Sequence, residues 1–158
     1  MLDPVPGWTT SLIPLARLKI GPKHQLLDPA LAARLLDITP AKLLSGAPGS
    51  GEILGQLFES LVTLCVRARA TATGLRTSHL RTHNGDHEID LIVENTAGRV
   101  VAIEVTLARD PDDTDVRHLH WLGDRIGGRL VDKVIITTGE YAYRRDDGVA
   151  VIPLGLLS

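Results

Sequence analysis

The sequence is poor in aromatic residues, has a single cysteine and contains no long hydrophobic run. Aromatic residues make up only 3% of its 158 residues, which argues against a module that stacks single-stranded bases on aromatic side chains. Cys65 is the only cysteine, so an internal disulfide framework is impossible. No apolar run approaches the roughly 20 residues that span a bilayer, so we expect no membrane partner. The N-terminus lacks the pattern of a secretory signal, and a cytoplasmic location is expected.

The chain also lacks an excess of positive charge. Its 17 basic and 19 acidic residues give a formal net charge of −2, so a bulk basic field for nucleic acid is missing. Any nucleic-acid binding must therefore be local. Of the 17 basic residues 13 are arginines, which leaves few lysines for catalysis. A chain of this length can bury one sizeable core, so one main domain is expected.

Residues 1–49 are predicted to be an arm that leads into the domain. Prolines keep residues 1–27 mostly extended. The pairs Asp28-Pro29 and Thr39-Pro40 each predict an N-cap with proline at the first helical position, which opens two short helices over about residues 29–37 and 40–45. The glycine-rich residues 46–51 are interpreted as a linker, because a phosphate-binding loop would continue with Gly-Lys-Ser/Thr after a strand. We therefore expect no nucleotide site in this chain.

Residues 50–158 carry the order helix, three strands, helix, strand. Ser50 is predicted to cap a helix that runs to about residue 70, whose apolar positions would form one buried stripe of Leu54, Leu57, Phe58, Leu61 and Cys65. Strands follow at residues 75–83, 87–94 and 99–107, with a strong Asn-Gly hairpin signal between the first two. A helix at 112–127 would bury Val116, Leu119, Leu122 and Ile126, and residues 131–139 form a buried strand. A short strand closes the chain. This αβββαβ order predicts an α/β fold, a mixed central sheet flanked by helices.

Two acids on neighbouring strands are the main candidates for chemistry. Strand residues alternate between faces, so Ile89, Leu91 and Val93 would share one face and Asp90 the other. In the next strand, Val101, Ile103 and Val105 would share one face and Glu104 would lie on the other. Two convergent carboxylates suit Mg²⁺ or Mn²⁺, which can polarise a phosphate and activate water. The alternative is that both acids are solvated residues of a half-exposed hairpin.

Histidines are a second, weaker candidate. His79, His83 and His87 recur every four residues, a spacing that would align them on a helix. This stretch is predicted to be strand, turn and strand, so a shared metal site is not expected, although His83 or His87 could approach the acidic pair. His118 and His120 lie two residues apart on a helix and should face different ways.

Three blocks, in this order, resemble the restriction-endonuclease-like superfamily with its PD-(D/E)xK signature: GQLFESLV, EID and AIEV. More narrowly, nearly the whole chain resembles the uncharacterised domain at the C-terminus of many bacterial and archaeal AAA-type ATPases. The blocks that carry this resemblance are WTTSL, PKHQLLDPALAARLL, LGQLFESLV, EIDLIVE, VVAIEVT and DGVAVIPLGLL. The resemblance implies a restriction-endonuclease-like core. It also implies that Glu59 is the helix acid and that Asp90 and Glu104 are the metal-binding pair.

One position departs from that pattern. Thr106 stands where the nucleases carry a lysine that positions the attacking water and stabilises charge. Losing one such donor typically costs on the order of 10²–10³ in rate. A lysine can also come from another element, and Lys133 on the next strand is the nearest candidate in the sequence, with Arg81 and Arg109 as weaker substitutes.

Two functions therefore remain open. The first is a degenerate nuclease-fold module, the C-terminal domain of an AAA-type ATPase, that binds DNA or a protein partner. The alternative is an active Mg²⁺-dependent DNA endonuclease that uses Asp90 and Glu104. In either case the ATPase module is expected in the same chain or in a partner chain, and these residues are either a fragment or a separately encoded domain.

Overall fold

The computed structural model describes residues 1–11 and 14–157. Their first part contains the strands β1 (Leu2–Val5), β2 (Gly7–Trp8) and β3 (Lys23–Leu26), followed by the helices α1 (Pro29–Leu35) and α2 (Pro40–Leu43). The second part contains α3 (Ser50–Ala72), β4 (Arg76–Arg81), β5 (Glu88–Glu94), β6 (Val100–Val105), α4 (Asp113–Ile126), β7 (Leu130–Thr137), β8 (Tyr143–Arg144) and β9 (Ala150–Pro153). Short 3₁₀ helices lie at Pro14–Lys19, Gly127–Arg129 and Leu154–Leu156. The predicted αβββαβ order is thus confirmed.

Within the described residues the central sheet has seven strands in the order β2-β4-β5-β6-β7-β9-β8. Strand β5 is antiparallel to both neighbours, whereas β6, β7 and β9 run parallel, so the sheet is mixed. Helix α4 packs on one face and α3 on the other, each over its own buried apolar cluster. The predicted α/β class is therefore confirmed, with the sheet flanked by helices.

Local capping signals fix most helix starts. The Asp28 carboxylate accepts from the Leu31 N–H at 2.8 Å, and the Thr39 hydroxyl accepts from the Lys42 N–H. Asp112 caps α4 in a reciprocal capping box with Asp115. The predicted cap at Ser50 is wrong. Its hydroxyl donates instead to the Ala47 carbonyl, and Gly49 in the left-handed region precedes the helix.

Helix α3 is turned differently from the prediction. Its buried positions are Ser50, Ser60, Val62, Thr63, Val66 and Ala70. Leu61 is 39% exposed, so the predicted stripe is wrong at that position. The buried face of α3 includes the polar residues Ser60 and Thr63, because α3 packs against β3 as well as against the sheet. Helix α4 follows its prediction, with Val116, Leu119 and Leu122 buried.

A β-bulge interrupts the alternation of β5. Ser78 pairs with Ile92 and Leu80 pairs with Ile89, so Asp90 and Leu91 together lie opposite one residue of β4. Ile89 therefore joins the cluster under α4, whereas Leu91 and Val93 join the cluster under α3. The prediction that these three residues share a face is wrong for this reason. The bulge falls at Asp90, the acid of greatest interest.

The N-terminal arm is part of the packed structure. Strand β2 pairs in parallel with β4, and Trp8 of β2 is fully buried in the core cluster under α4. Strands β1 and β3 form a separate antiparallel pair. The extended-arm prediction for Leu12 and Ile13 lies outside the described residues. Among the helices of the described ranges, none has the length and apolar character to cross a membrane.

Candidate functional site

Strand β3 is held against α3 by a small polar network. The Leu26 N–H donates to the Ser60 hydroxyl at 3.2 Å, and that hydroxyl donates to the Gln25 amide oxygen at 2.7 Å. The Gln25 amide nitrogen in turn donates to the Glu59 carboxylate. Gln25 and Ser60 are buried, so these bonds fix the strand relative to the helix. Lys23, at the start of β3, is thereby placed over the sheet.

Lys23 lies at the centre of an acidic cluster. Its ammonium nitrogen is 2.7 Å from Glu59 Oε1, 3.0 Å from Asp90 Oδ1 and 3.1 Å from Glu88 Oε1. We call these residues, together with Glu104, the acid–lysine cluster. Burial alone would lower the pKa of Lys23, but the charges and hydrogen bonds of Asp90 and Glu59 outweigh it and raise this pKa above its usual range. Lys23 is therefore a permanent cation.

The predicted acidic pair is brought together at the bulge. Asp90 Oδ2 accepts from the Val105 N–H at 3.0 Å, and its side chain is hydrogen-bonded to Glu104. Asp90 thus has a donor on each oxygen, Lys23 on one and the β6 backbone on the other. Glu104 differs, because its Oε1 atom is buried and has no hydrogen-bond partner among the described residues.

The two acids of the pair have different surroundings. Burial, followed by the charge of Asp90 and the hydrogen bond to it, raises the pKa of Glu104 to about 10, although Lys23 opposes the shift. Glu104 is therefore neutral at pH 7. Asp90 is the member of the pair that faces the Lys23 ammonium.

The resemblance implies a divalent ion at this pair, and its fit can be judged from the donors present. The unpartnered carboxylate oxygen of Glu104 is the type of ligand atom that a divalent ion such as Mg²⁺ binds. However, Lys23 already draws three of the carboxylates towards itself. In residues 1–11 and 14–157 no group of three or more His, Cys, Asp or Glu side chains is placed to hold an ion. With Lys23 in this position the donor set does not fit a metal centre.

Two predicted site residues lie apart from the acid–lysine cluster. The Thr106 N–H donates to the Ile136 carbonyl, and the Thr106 hydroxyl accepts from the Ala108 N–H at 3.2 Å. This threonine therefore shapes its own turn after β6. Lys133 approaches His120 Nδ1 at 3.0 Å and donates to the Asp147 carbonyl at 3.2 Å. Neither replaces the missing lysine in this arrangement.

Arg81 and Arg109, the two weaker candidates for the missing positive charge, each form an ion pair. Arg81 Nε lies 3.8 Å from Glu88 Oε2, at the margin of the acid–lysine cluster, and its side chain is mostly exposed. Arg109 faces Glu140 at 3.6 Å. Arg81 therefore adds positive charge beside the cluster. Arg109 instead pairs with Glu140 in the loop that follows β7.

His118 and His120 face different ways, as their spacing predicts. His87 stacks on Trp121 with ring centroids 4.0 Å apart, and its Nδ1 atom is 3.1 Å from His118 Nδ1. Burial, with Arg117 and His87 beside it, lowers the pKa of His118, so this contact joins one donor and one acceptor nitrogen. His120 points elsewhere and contacts Asp147. His83 is exposed on the β4–β5 turn.

A second buried acid anchors the arm. Glu94 is 2% exposed and accepts two hydrogen bonds from Arg17, both at 2.9 Å, and one from Trp8 Nε1 at 3.2 Å. Burial alone would raise its pKa, but these bonds and the neighbouring Arg76 hold the pKa below its usual range. This clamp fixes the segment before β3, the strand that carries Lys23.

Sequence reasoning missed Lys23. The weak signal available was the polar pair Lys23 and Gln25, which share one face of a short strand in a chain with few lysines. That pattern does not reveal which acids the strand will meet. Its partners lie 36 to 67 positions away and are reached only through tertiary packing.

Comparison with known proteins gives one finding. A family model described as a domain of unknown function (DUF4143) matches residues 54–157, more than half of the chain. The match contains Glu59, Asp90 and Glu104 but not Lys23. No curated protein and no solved structure matches the chain.

Proposed function

The chain belongs to the DUF4143 family, and we propose that this member is a nuclease-fold module that binds nucleic acid without cleaving it. Domains of this family generally accompany AAA-type ATPases, so its partner in this proposal is such an ATPase, in the same chain or another. The αβββαβ order, with Glu59, Asp90 and Glu104 at the positions expected of a PD-(D/E)xK fold, supports the nuclease-like ancestry.

The observation that carries the proposal is the place of Lys23. Its ammonium lies within 3.1 Å of three carboxylates, and the fourth acid, Glu104, is neutral at pH 7. A side chain of this protein therefore places a positive charge among these carboxylates, where a bound metal ion would otherwise sit. A divalent ion at Asp90 would have to compete with a cation fixed by the packing of β3 on α3. Thr106, which stands where the nucleases carry a lysine, supplies no positive charge for catalysis.

A second candidate, the Mg²⁺-dependent DNA endonuclease, is favoured by one specific observation. Lys23 brings a positive charge to within 3.0 Å of Asp90, and in this candidate that charge takes the place of the lysine that is absent at Thr106. The unpartnered Glu104 oxygen supports the same candidate, because Mg²⁺ takes oxygen ligands. In this candidate the ammonium would have to leave Asp90 before an ion could bind there.

One experiment separates the two. Supercoiled plasmid is incubated with the wild type, Asp90→Asn, Lys23→Met and the matched control Lys133→Met, with Mg²⁺ or Mn²⁺. Plasmid binding is followed by gel shift and plasmid cutting by loss of the supercoiled form. Calorimetric Mn²⁺ titrations use the same samples.

We expect the wild type to bind plasmid, to leave it uncut and to take up no Mn²⁺. Lys23→Met should gain Mn²⁺ binding, because the removal of the ammonium frees the carboxylates. Cleavage by the wild type and Lys133→Met that is lost in both Asp90→Asn and Lys23→Met would establish the endonuclease instead. Absence of plasmid binding by the wild type would reject nucleic-acid binding altogether.

A further inference from the structure

An open cleft of about 810 Å³ runs from the acid–lysine cluster across the arm, the β4–β5 turn and α4. Lys23 and Glu88 line both the cleft and the cluster, so the two are continuous. Trp8, His79 and Leu80 form its buried wall, whereas the turn that carries His83, Asn84 and Gly85 is exposed. The cleft is open to solvent, so part of a larger ligand can lie along it.

The charge of this cleft contrasts with the charge of the whole chain. The net charge is −2, yet Lys19, Lys23, Arg81 and Arg125 all line the cleft, and Glu88 is the single acid among its described lining residues. Lys19, Arg81 and Arg125 are exposed. Within the described part of the chain neither Lys19 nor Arg125 has an ion-pair partner. Three accessible cations are therefore concentrated along one cleft, so the cleft favours an anionic ligand.

The wall of the cleft is fixed before a ligand arrives. His79 Nε2 donates to the Gly21 carbonyl at 3.1 Å, which ties β4 to the arm. Burial lowers the pKa of His79, so this histidine stays neutral and contributes shape rather than charge. The Arg17–Glu94 clamp holds the other end of the same segment. Lys19 lies between these anchors and Lys23 follows the second of them along the chain, so both are presented on a braced segment.

The two tryptophans that line the cleft are either buried or already engaged. Trp8 is fully buried. Trp121 stacks on His87 with an angle of 12° between the rings, and the Arg125 guanidinium lies 5.9 Å from the Trp121 ring centroid. Among the described lining residues, neither tryptophan therefore offers a free aromatic face to a nucleic-acid base. Recognition by base stacking is thereby disfavoured, and charge remains as the main attraction.

We propose that this cleft binds the phosphodiester backbone of duplex DNA without regard to sequence, with Lys19, Arg81 and Arg125 as its phosphate contacts. The inference rests on the proposed nucleic-acid function and adds the surface and the mode of recognition. Phosphate contacts position a protein on DNA but carry no sequence information. The acid–lysine cluster lies at one end of the same cleft.

The test is a salt series with fluorescein-labelled 20-base-pair duplexes of two unrelated sequences. Affinity is measured by anisotropy between 50 and 200 mM salt for the wild type, the double variant Lys19→Ala/Arg125→Ala and the matched control Lys42→Ala/Arg99→Ala. All four substituted side chains are exposed, and circular dichroism checks that each variant is folded. The control removes the same charge from α2 and from the turn between β5 and β6.

We expect the wild type to bind both duplexes equally well. The double variant should bind about 10-fold or more weakly at the lowest salt. Its plot of log affinity against log salt should be shallower by about 1.8, because each lost phosphate contact contributes about 0.9. The control should match the wild type.

The contrary outcomes have separate meanings. If the wild type binds but the double variant shows the same affinity and slope, the cleft is not the binding surface and only this inference is overturned. A clear preference for one of the two sequences would overturn the backbone-only mode. If the wild type binds neither duplex at 50 mM salt, the proposed function fails, and this inference fails with it.

Discussion

Lys23 and Asp90 lie 67 positions apart in the sequence, yet the ammonium of one is 3.0 Å from the carboxylate of the other. The contact joins the N-terminal arm to the bulged residue of β5. It also places a cation against Asp90, whereas burial and the neighbouring Asp90 raise the pKa of Glu104 beside it. Four expected outcomes follow from this cluster and from the packing that supports it.

Replacing Lys23 by methionine should destabilise the fold. The substitution keeps an unbranched side chain only one atom shorter but leaves Glu59, Glu88 and Asp90 to repel one another in a partly buried space. Since Lys23 is 24% exposed, we expect a loss of about 1–3 kcal/mol in the free energy of unfolding, between the values for exposed and buried pairs. Urea denaturation at pH 7 measures it. Lys42→Met, an exposed change on α2, should stay within about 0.5 kcal/mol. Equal stability of both variants would mean that Lys23 is not the cluster's counter-ion.

The stability of the wild type should fall with rising pH through the neutral range. The Glu104 pKa is raised from 4.5 to about 10 in the folded state. The unfolded state therefore releases this proton first, and the stabilisation present below pH 4.5 is lost progressively as pH rises towards the folded pKa. The slope contributed by one such group is at most about 1.4 kcal/mol per pH unit.

Glu104→Gln isolates this effect, because the amide mimics the protonated acid and does not titrate. Urea unfolding at pH 6 and pH 9 should show a smaller loss in Glu104→Gln than in the wild type. The exposed Glu52→Gln serves as the control and should follow the wild type. A parallel decline of Glu104→Gln and the wild type would contradict the protonated state of Glu104.

Removing the charge of Glu94 should release the arm. Glu94→Gln leaves the Arg17 guanidinium without its buried partner, and losing one member of a buried ion pair costs about 3–5 kcal/mol. Arg17 is 28% exposed, so we expect about 2–4 kcal/mol. The fluorescence of Trp8, which donates to Glu94, should change together with the urea midpoint. The exposed Glu140→Gln is the control, and an unchanged midpoint in Glu94→Gln would show that the clamp does not hold the arm.

Gly7 should not tolerate a methyl group. A Cβ there would lie 2.3 Å from Ile20 Cγ2, so Gly7→Ala forces the segment before β3 away from β2. Overpacking of this kind typically costs about 1–3 kcal/mol. Gly21→Ala is the matched control, since nothing lies within 4 Å of its added Cβ. Thermal unfolding of both variants measures the difference, and equal midpoints would mean that β2 and Ile20 adjust freely.

Short-range sequence patterns were enough to predict most of the secondary-structure elements and to single out the candidate acids. Three helices begin at the N-cap residues Asp28, Thr39 and Asp112. Their starts can be predicted because a capping bond depends only on residues two or three positions away. The alternation in β6 placed Val101, Ile103 and Val105 on one face, and those residues pack together under α3 as predicted. The roles of Glu59, Asp90 and Glu104 stay predictions, although the structure gathers all three.

The surroundings of those acids, in contrast, depend on how the elements pack. The bulge at Asp90 follows from the register of β4 against β5, the rotation of α3 follows from its packing on β3, and Lys23 reaches the cluster only because β3 lies on that helix. A sequence pattern reports the periodicity of a segment, but register, rotation and long-range ion pairs depend on surfaces that meet after folding. The charge of Glu104 belongs to the same class, because burial and the nearby Asp90 set its pKa, and both exist only in the folded chain.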